Sequence, residues 1–172
     1  MESDSIDFCT VDITGHYPQI DPEVEGVVSR MSTIGTYLKR TFDDTVSDYG
    51  LNHGEYRLLL RLSTRTKDHR MSAGDLSRML ALSSGAMTNR LDRLERAGLV
   101  RRVPDPRDRR GVLVELTERG VEAIDAAVIE QAQKEIDVLA ALSPKELTTL
   151  NGLLRKVLVS LESDESVVPK AV

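Results

Sequence analysis

Tryptophan is absent and cysteine occurs once, at Cys9, in a chain of 172 residues. A single cysteine excludes an intramolecular disulfide framework. Aromatic residues make up 3 % of the chain, so Leu, Val, Ile, Ala and Met must fill whatever core it builds. No apolar run approaches the roughly 18 residues of a membrane span, and the polar, acidic N-terminus does not read as a signal peptide. A cytoplasmic location is the expectation. The histidines His16, His53 and His69 are scattered, with no metal-ligand spacing among them or with Cys9. His53-Gly54-Glu55 matches the His-x-Glu of zinc deaminases, but the Pro-Cys-x-x-Cys that would complete the site is missing. No phosphate-binding glycine loop or nucleophile elbow occurs. These absences argue against an enzyme and against a metal or other cofactor.

What is present is a soluble composition, 40 % apolar and 30 % charged, of a length that suits one domain, 1–172. Its most informative stretch is 72–117. Ser72 and Asp75 approximate a capping box ahead of an apolar stripe of Leu76, Met79 and Leu80. Ala81 to Ser83 join this short helix to a second one, over 84–97, whose apolar face is Met87, Leu91 and Leu94 and which Gly98 stops. Two helices, a tight turn and a polar outer face on the second helix describe a helix-turn-helix. Leu99 to Val103 then reads as a strand, and Val112, Val114 and Leu116 alternate as another. Between them PDPRDRRG, 104–111, reads as a polar loop with three arginines. The whole is a winged helix with a basic tip, suited to a phosphate backbone or a narrow minor groove.

Charge is concentrated there. Residues 76–110 hold nine arginines against four acids, a local +5 in a chain of formal net charge −5, so the remainder carries −10. A basic island in an acidic chain marks a polyanion-binding surface, and double-stranded DNA is the partner it suggests. Most charge runs are simply solvated, but here a fold motif and a basic hairpin coincide with the charge.

The residues Leu80, Ser83, Thr88, Arg93, Leu94, Glu95, Gly98, Leu99, Asp108, Arg110, Leu116, Thr117 and Gly120 resemble the pattern of the MarR family of bacterial transcription regulators. Residues 83–117, with the segment before the first long helix, resemble most the branch that includes urate-responsive regulators; that branch has a tryptophan in its urate site, and this chain has none. The resemblance implies a mainly α fold with a small β-hairpin wing, a winged helix-turn-helix lobe at 50–117, and dimerisation helices at 20–48 and 118–162. It also implies a homodimeric repressor on a palindromic operator, released by a small aromatic or phenolic effector.

The flanking helices are legible from the residues themselves. Asp21 and Pro22 open a stripe from Val24 to Val46, Asn52 and Glu55 cap the helix carrying Tyr56, Leu59, Leu60 and Leu62, and Thr117 caps another running to about Ala141. Ser143, Pro144 and Glu146 open a last stripe ending at Leu161. Residues 1–19 show no periodicity and read as an extended, flexible segment; 63–71 read as a loop and 163–172 as a flexible tail. Three long stripes with no sheet to cover them must pack on each other or on a second copy.

For DNA the candidate residues are Ser83, Ser84, Gly85, Thr88, Asn89, Arg90 and Arg93 on the second helix, with Arg107, Asp108, Arg109 and Arg110 in the wing. Asn89 faces outward and can pair with adenine; Arg93 suits a phosphate, with pairing to Asp92 or Glu95 as the alternative. The resemblance places Arg110 in the minor groove with Asp108 orienting it. For an effector, the candidate lining is Met31, Tyr37, Phe42, His53, Tyr56 and Arg57, each of which could equally be core or surface. Two further readings remain open: a winged-helix protein-interaction module, and an oxidation sensor through Cys9.

Overall fold

A computed structural model of the chain describes residues 3–65 and 68–163, with the backbone alone at 109 and 110. Its elements are α1 (Ser5–His16), α2 (Pro22–Asp48), α3 (His53–Arg65), β1 (Arg70–Ser72), α4 (Ala73–Met79), α5 (Ser84–Arg96), β2 (Val100–Asp105), β3 (Asp108–Leu116), α6 (Glu118–Val138) and α7 (Pro144–Ser163). Where the sequence reads as one domain, the chain divides into two compact units, Met1–Asp44 and Thr45–Val172.

The first unit corrects one expectation. Residues 5–16 are helical, not extended. Asp4 accepts from the N–H groups of Ile6 and Asp7, and Asp7 accepts in return from the Asp4 N–H. This is a capping box built from two aspartates. No apolar stripe marks this helix: Phe8 and Val11 are exposed and no residue of α1 is buried. Arg30 of α2 pairs with both Asp4 and Asp7, and it holds the Asp4 carboxyl below the usual carboxylate range. The start of α2 follows the sequence, with Asp21 accepting from the N–H groups of Glu23 and Val24.

In the second unit, Thr45 and Val46 are buried at the end of α2, and Gly50 leaves the helix at a φ of +67°. The Asn52–Glu55 box that opens α3 is present in both directions, at 2.9 and 3.0 Å. Leu58, Leu59 and Leu62 of α3 are fully buried, and with Leu76, Met87, Leu94, Val114 and Ile124 they form the core beneath the helix-turn-helix. α3 packs on α6 and on β3.

The sheet is antiparallel, in the order β1-β3-β2. β1 falls where the sequence reads as a loop. Three residues are too few for alternation to show, and the strand exists through its pairing of Arg70 with Glu115, Met71 with Val114 and Ser72 with Leu113. The wing also differs from expectation. Instead of an eight-residue loop at 104–111, β2 runs to Asp105 and β3 begins at Asp108, so Pro106 and Arg107 make the turn. Pro104 is tolerated because β2 is an edge strand with a register shift between Pro104 and Asp105. Asp105 closes the turn by accepting from the Arg107 N–H at 2.8 Å. α7 starts as the sequence implies, with Ser143 and Glu146 bonded to each other, but no residue of α7 is buried. Apart from Ser163, which ends α7, the expected tail lies outside the described residues.

Candidate nucleic-acid interface

The site is built on α5. Ser72 caps α4 and Ser83 caps α5, each accepting from the N–H three residues on, at 3.0 and 3.3 Å. Met87, Leu91 and Leu94 are at most 2 % exposed, which fixes the rotation of α5 about its axis. Ser84, Gly85, Thr88 and Asn89 consequently stand exposed on its outer face. The Thr88 hydroxyl donates to the Ser84 carbonyl at 2.9 Å. The turn between the helices passes through Ala81 at a φ of +51°, an uncommon conformation for a residue with a side chain.

The two arginines of α5 assigned to DNA by sequence both turn toward α3. Arg90 is half-buried and its Nη1 donates to the Gly54 carbonyl at 3.1 Å. Its guanidinium lies where a side chain at position 54 would be: a Cβ there would come within 2.4 Å of Arg90 Cζ. In this structure Arg90 is therefore engaged with α3, a contact that a wheel drawn on α5 alone could not reveal. Arg93 Nε lies 3.0 Å from Glu55 Oε1, whose side chain is 3 % exposed against 59 % for Arg93. One carboxylate therefore caps α3 and holds α5.

Asp92 and Glu95, the expected neighbours of Arg93, are held instead by Arg102 of β2. Sequence reasoning overlooked Arg102, because nothing local to 102 announces a contact with a helix. A second overlooked group is Glu115, on the central strand between Arg70 and Arg101, at 2.8 and 2.9 Å. Its partners on β1 and β2 are its direct cross-strand neighbours, so strand pairing would have found them. Arg101, and then Arg70, hold the Glu115 carboxyl below the ordinary carboxylate range.

In the wing Arg107 and Asp108 are exposed at and beside the turn. The side chains of Arg109 and Arg110 lie outside the described residues; their backbone belongs to β3.

The effector candidates fall in both units. Met31, Tyr37 and Phe42 belong to the first unit and His53, Tyr56 and Arg57 to the second. Tyr56 is core, at 7 % exposure, and burial raises its pKa. His53 and Arg57 line a cleft of about 190 Å³ with Gly54, Leu80, Leu82 and Arg90. Cys9 is exposed on α1. Among the described residues no group of three or more His, Cys, Asp or Glu is placed to hold a metal ion.

The model for the MarR family matches residues 51–112. The HTH-type transcriptional regulator PecS of Dickeya dadantii is 34 % identical over 140 residues, covering 81 % of this chain and 84 % of PecS. The multiple antibiotic resistance protein MarR of Escherichia coli is 40 % identical over 90 residues, 49 % of this chain and 59 % of MarR. Among solved structures, apo MarR from E. coli superposes with a TM-score of 0.62 at 27 % identity, over 76 % of this chain and 94 % of that one. A cysteine-to-serine mutant of the same protein, complexed with operator DNA, gives 0.58 at 27 % identity, over 79 % and 96 %. The extent of the match to PecS, together with the family match at 51–112 and the superposition on MarR, shows that this chain belongs to the MarR family of transcriptional regulators.

Proposed function

We propose that the chain is a homodimeric repressor that binds a pseudo-palindromic operator, with α5 in the major groove and the β2–β3 wing in the minor groove. The observation that carries this is the outer face of α5. Three buried apolar residues orient the helix so that Ser84, Gly85, Thr88 and Asn89 stand free of the core at its N-terminal half. Small residues there let the helix approach base edges, and Asn89 supplies the amide that pairs with adenine. The complex of the related MarR mutant with operator DNA supports the same use of the fold. Dimerisation is supported by the apolar stripes left uncovered in one chain. Val27, Val28 and Ile34 of α2 and Leu153, Leu158 and Leu161 of α7 are each between 46 and 56 % exposed.

Release by a small anionic ligand is the regulation that fits the cleft beside α5. Arg57 and Arg90 offer positive charge, and with His53 they offer hydrogen-bonding groups, beside an apolar wall of Leu80 and Leu82, which suits an aromatic acid. A carboxylate that drew Arg90 away from the Gly54 carbonyl would alter the seating of the recognition helix without touching DNA.

The test is a titration of the full chain against duplexes from its own upstream intergenic region and scrambled controls, at two salt concentrations, with its mass measured by analytical ultracentrifugation. Sequence-selective binding by a dimer, weakened by added benzoic acid derivatives, is the expected result. Equal, weak binding to both duplexes that vanishes with salt would refute specific recognition and leave a general polyanion surface or a protein-interaction module.

A further inference from the structure

The recognition helix carries two carboxylates, Asp92 and Glu95. On an element proposed to face DNA, negative charge by itself weakens binding. Both carboxylates are gathered by one side chain. Arg102 of β2 donates from Nη2 to Asp92 Oδ1 at 2.6 Å and from Nη1 to Glu95 Oε2, and its backbone N–H donates to Glu95 Oε1 at 3.1 Å. The Arg102 side chain is 34 % exposed, and the two acids raise its pKa above the ordinary arginine value, Asp92 most strongly. Acids three residues apart share one helix face, and a planar guanidinium can bridge them as an ammonium cannot. The same helix is tied to α3 by Arg93 and the buried Glu55.

We propose that Arg102 is a positioning residue for DNA recognition: by clamping Asp92 and Glu95 it locks the wing to α5, so that the two DNA-reading elements keep one fixed placement. This rests on the DNA-binding function proposed above. The lever is long. The wing turn lies four residues beyond Arg102, about 13 Å of strand at 3.3 Å per residue. Angular slack of about 10° at Arg102 moves the tip by about 2 Å, well outside the roughly 0.5 Å within which a binding constellation must be held. Asp92 and Glu95 are the counter-charges that make the clamp.

The experiment uses the full chain and a duplex that the wild-type protein selects from a randomised pool. Dissociation constants are measured over a salt series for wild type, Arg102→Met, Arg102→Lys, the double variant Asp92→Asn/Glu95→Gln, and the triple variant that combines the double with Arg102→Met. The clamp predicts that Arg102→Met and the double variant each weaken binding about tenfold or more. It predicts further that the triple variant is no weaker than either, that Arg102→Lys falls between wild type and Arg102→Met, and that the salt slope stays that of wild type. Circular dichroism checks folding, and if Arg102→Met does not fold, the double variant and Arg102→Lys decide the matter. A double variant that binds as tightly as wild type or more tightly, as removing two negative charges would by itself require, overturns the clamp. So does a salt slope lowered by about one in Arg102→Met, which would make Arg102 a phosphate contact. A wild-type protein that enriches no duplex refutes the DNA reading itself, whereas a selective wild type with unaffected variants refutes the clamp alone.

Discussion

Gly120 lies where the end of α5, the wing and α6 meet, and replacing it with alanine gives a decisive test of that junction. Thr117 caps α6 by accepting from the Gly120 N–H at 3.0 Å. The Thr117 hydroxyl donates to the Gly98 carbonyl at 2.7 Å, and the Thr117 N–H donates to the Leu99 carbonyl at 3.1 Å. A Cβ on residue 120 would lie 2.0 Å from the Leu99 oxygen and 2.9 Å from its carbonyl carbon, both backbone atoms that cannot swing aside. Relief requires the start of α6 to withdraw from Leu99 by about an ångström, which breaks the Thr117–Leu99 bond. Overpacking of this kind costs about 1–3 kcal/mol and the lost bond about 1 kcal/mol. Alanine returns up to about 1 kcal/mol through its better helix propensity. The net loss is about 2 kcal/mol, or about 4–8 °C in Tm for a chain of this size. Thermal unfolding of wild type and Gly120→Ala at equal protein concentration reads this directly. Operator affinity should fall with it, since Leu99 and Val100 launch the wing. A variant that melts at or above the wild-type temperature would refute the close approach and the account of the junction built on it.

Asn89→Ala should relax discrimination at one base pair of the operator by about 1–3 kcal/mol while leaving the unfolding midpoint unchanged, because the residue is exposed; competition with single-base operator variants measures it. Arg90→Met should cost about 1 kcal/mol of stability through the bond lost to Gly54, yet leave the salt slope of DNA binding unaltered. A slope lower by about one would return Arg90 to the DNA. Glu115 has its folded-state pKa depressed by Arg101 and Arg70. Its contribution is therefore present above the unfolded carboxylate value near about 4.3 and is lost as pH falls through the lower folded value. Glu115→Gln should accordingly lose less stability than wild type between about pH 5 and 3. The difference is at most about 1 kcal/mol, since both guanidiniums stand well exposed to solvent. Chemical denaturation across that pH range checks it.

The winged helix was legible in the residues alone, because its signals are local. Ser72, Asn52 with Glu55, Ser83 and Thr117 each cap a helix by bonding a backbone group within three residues. Periodicity is local too, so Met87, Leu91 and Leu94 named the buried face of α5, and the exposed face followed by exclusion. The Asp4–Asp7 pair is a local signal for α1, but without an apolar stripe beside it such a pair does not distinguish a helix from a turn. The pairing of charges, by contrast, waited on the packing of the elements. Arg90 and Arg93 look alike on a helical wheel. One meets the carbonyl of Gly54 and the other the carboxylate of Glu55, both more than 30 residues distant in sequence. Arg102 finds Asp92 and Glu95 because β2 returns alongside α5, and β1 exists because β3 offers it an edge. Apolar burial writes a period into the sequence, since most buried positions on a helix face are apolar. An ion pair needs only two opposite charges that the fold brings within reach, and long flexible side chains leave the choice of partner to the packing of the elements that carry them.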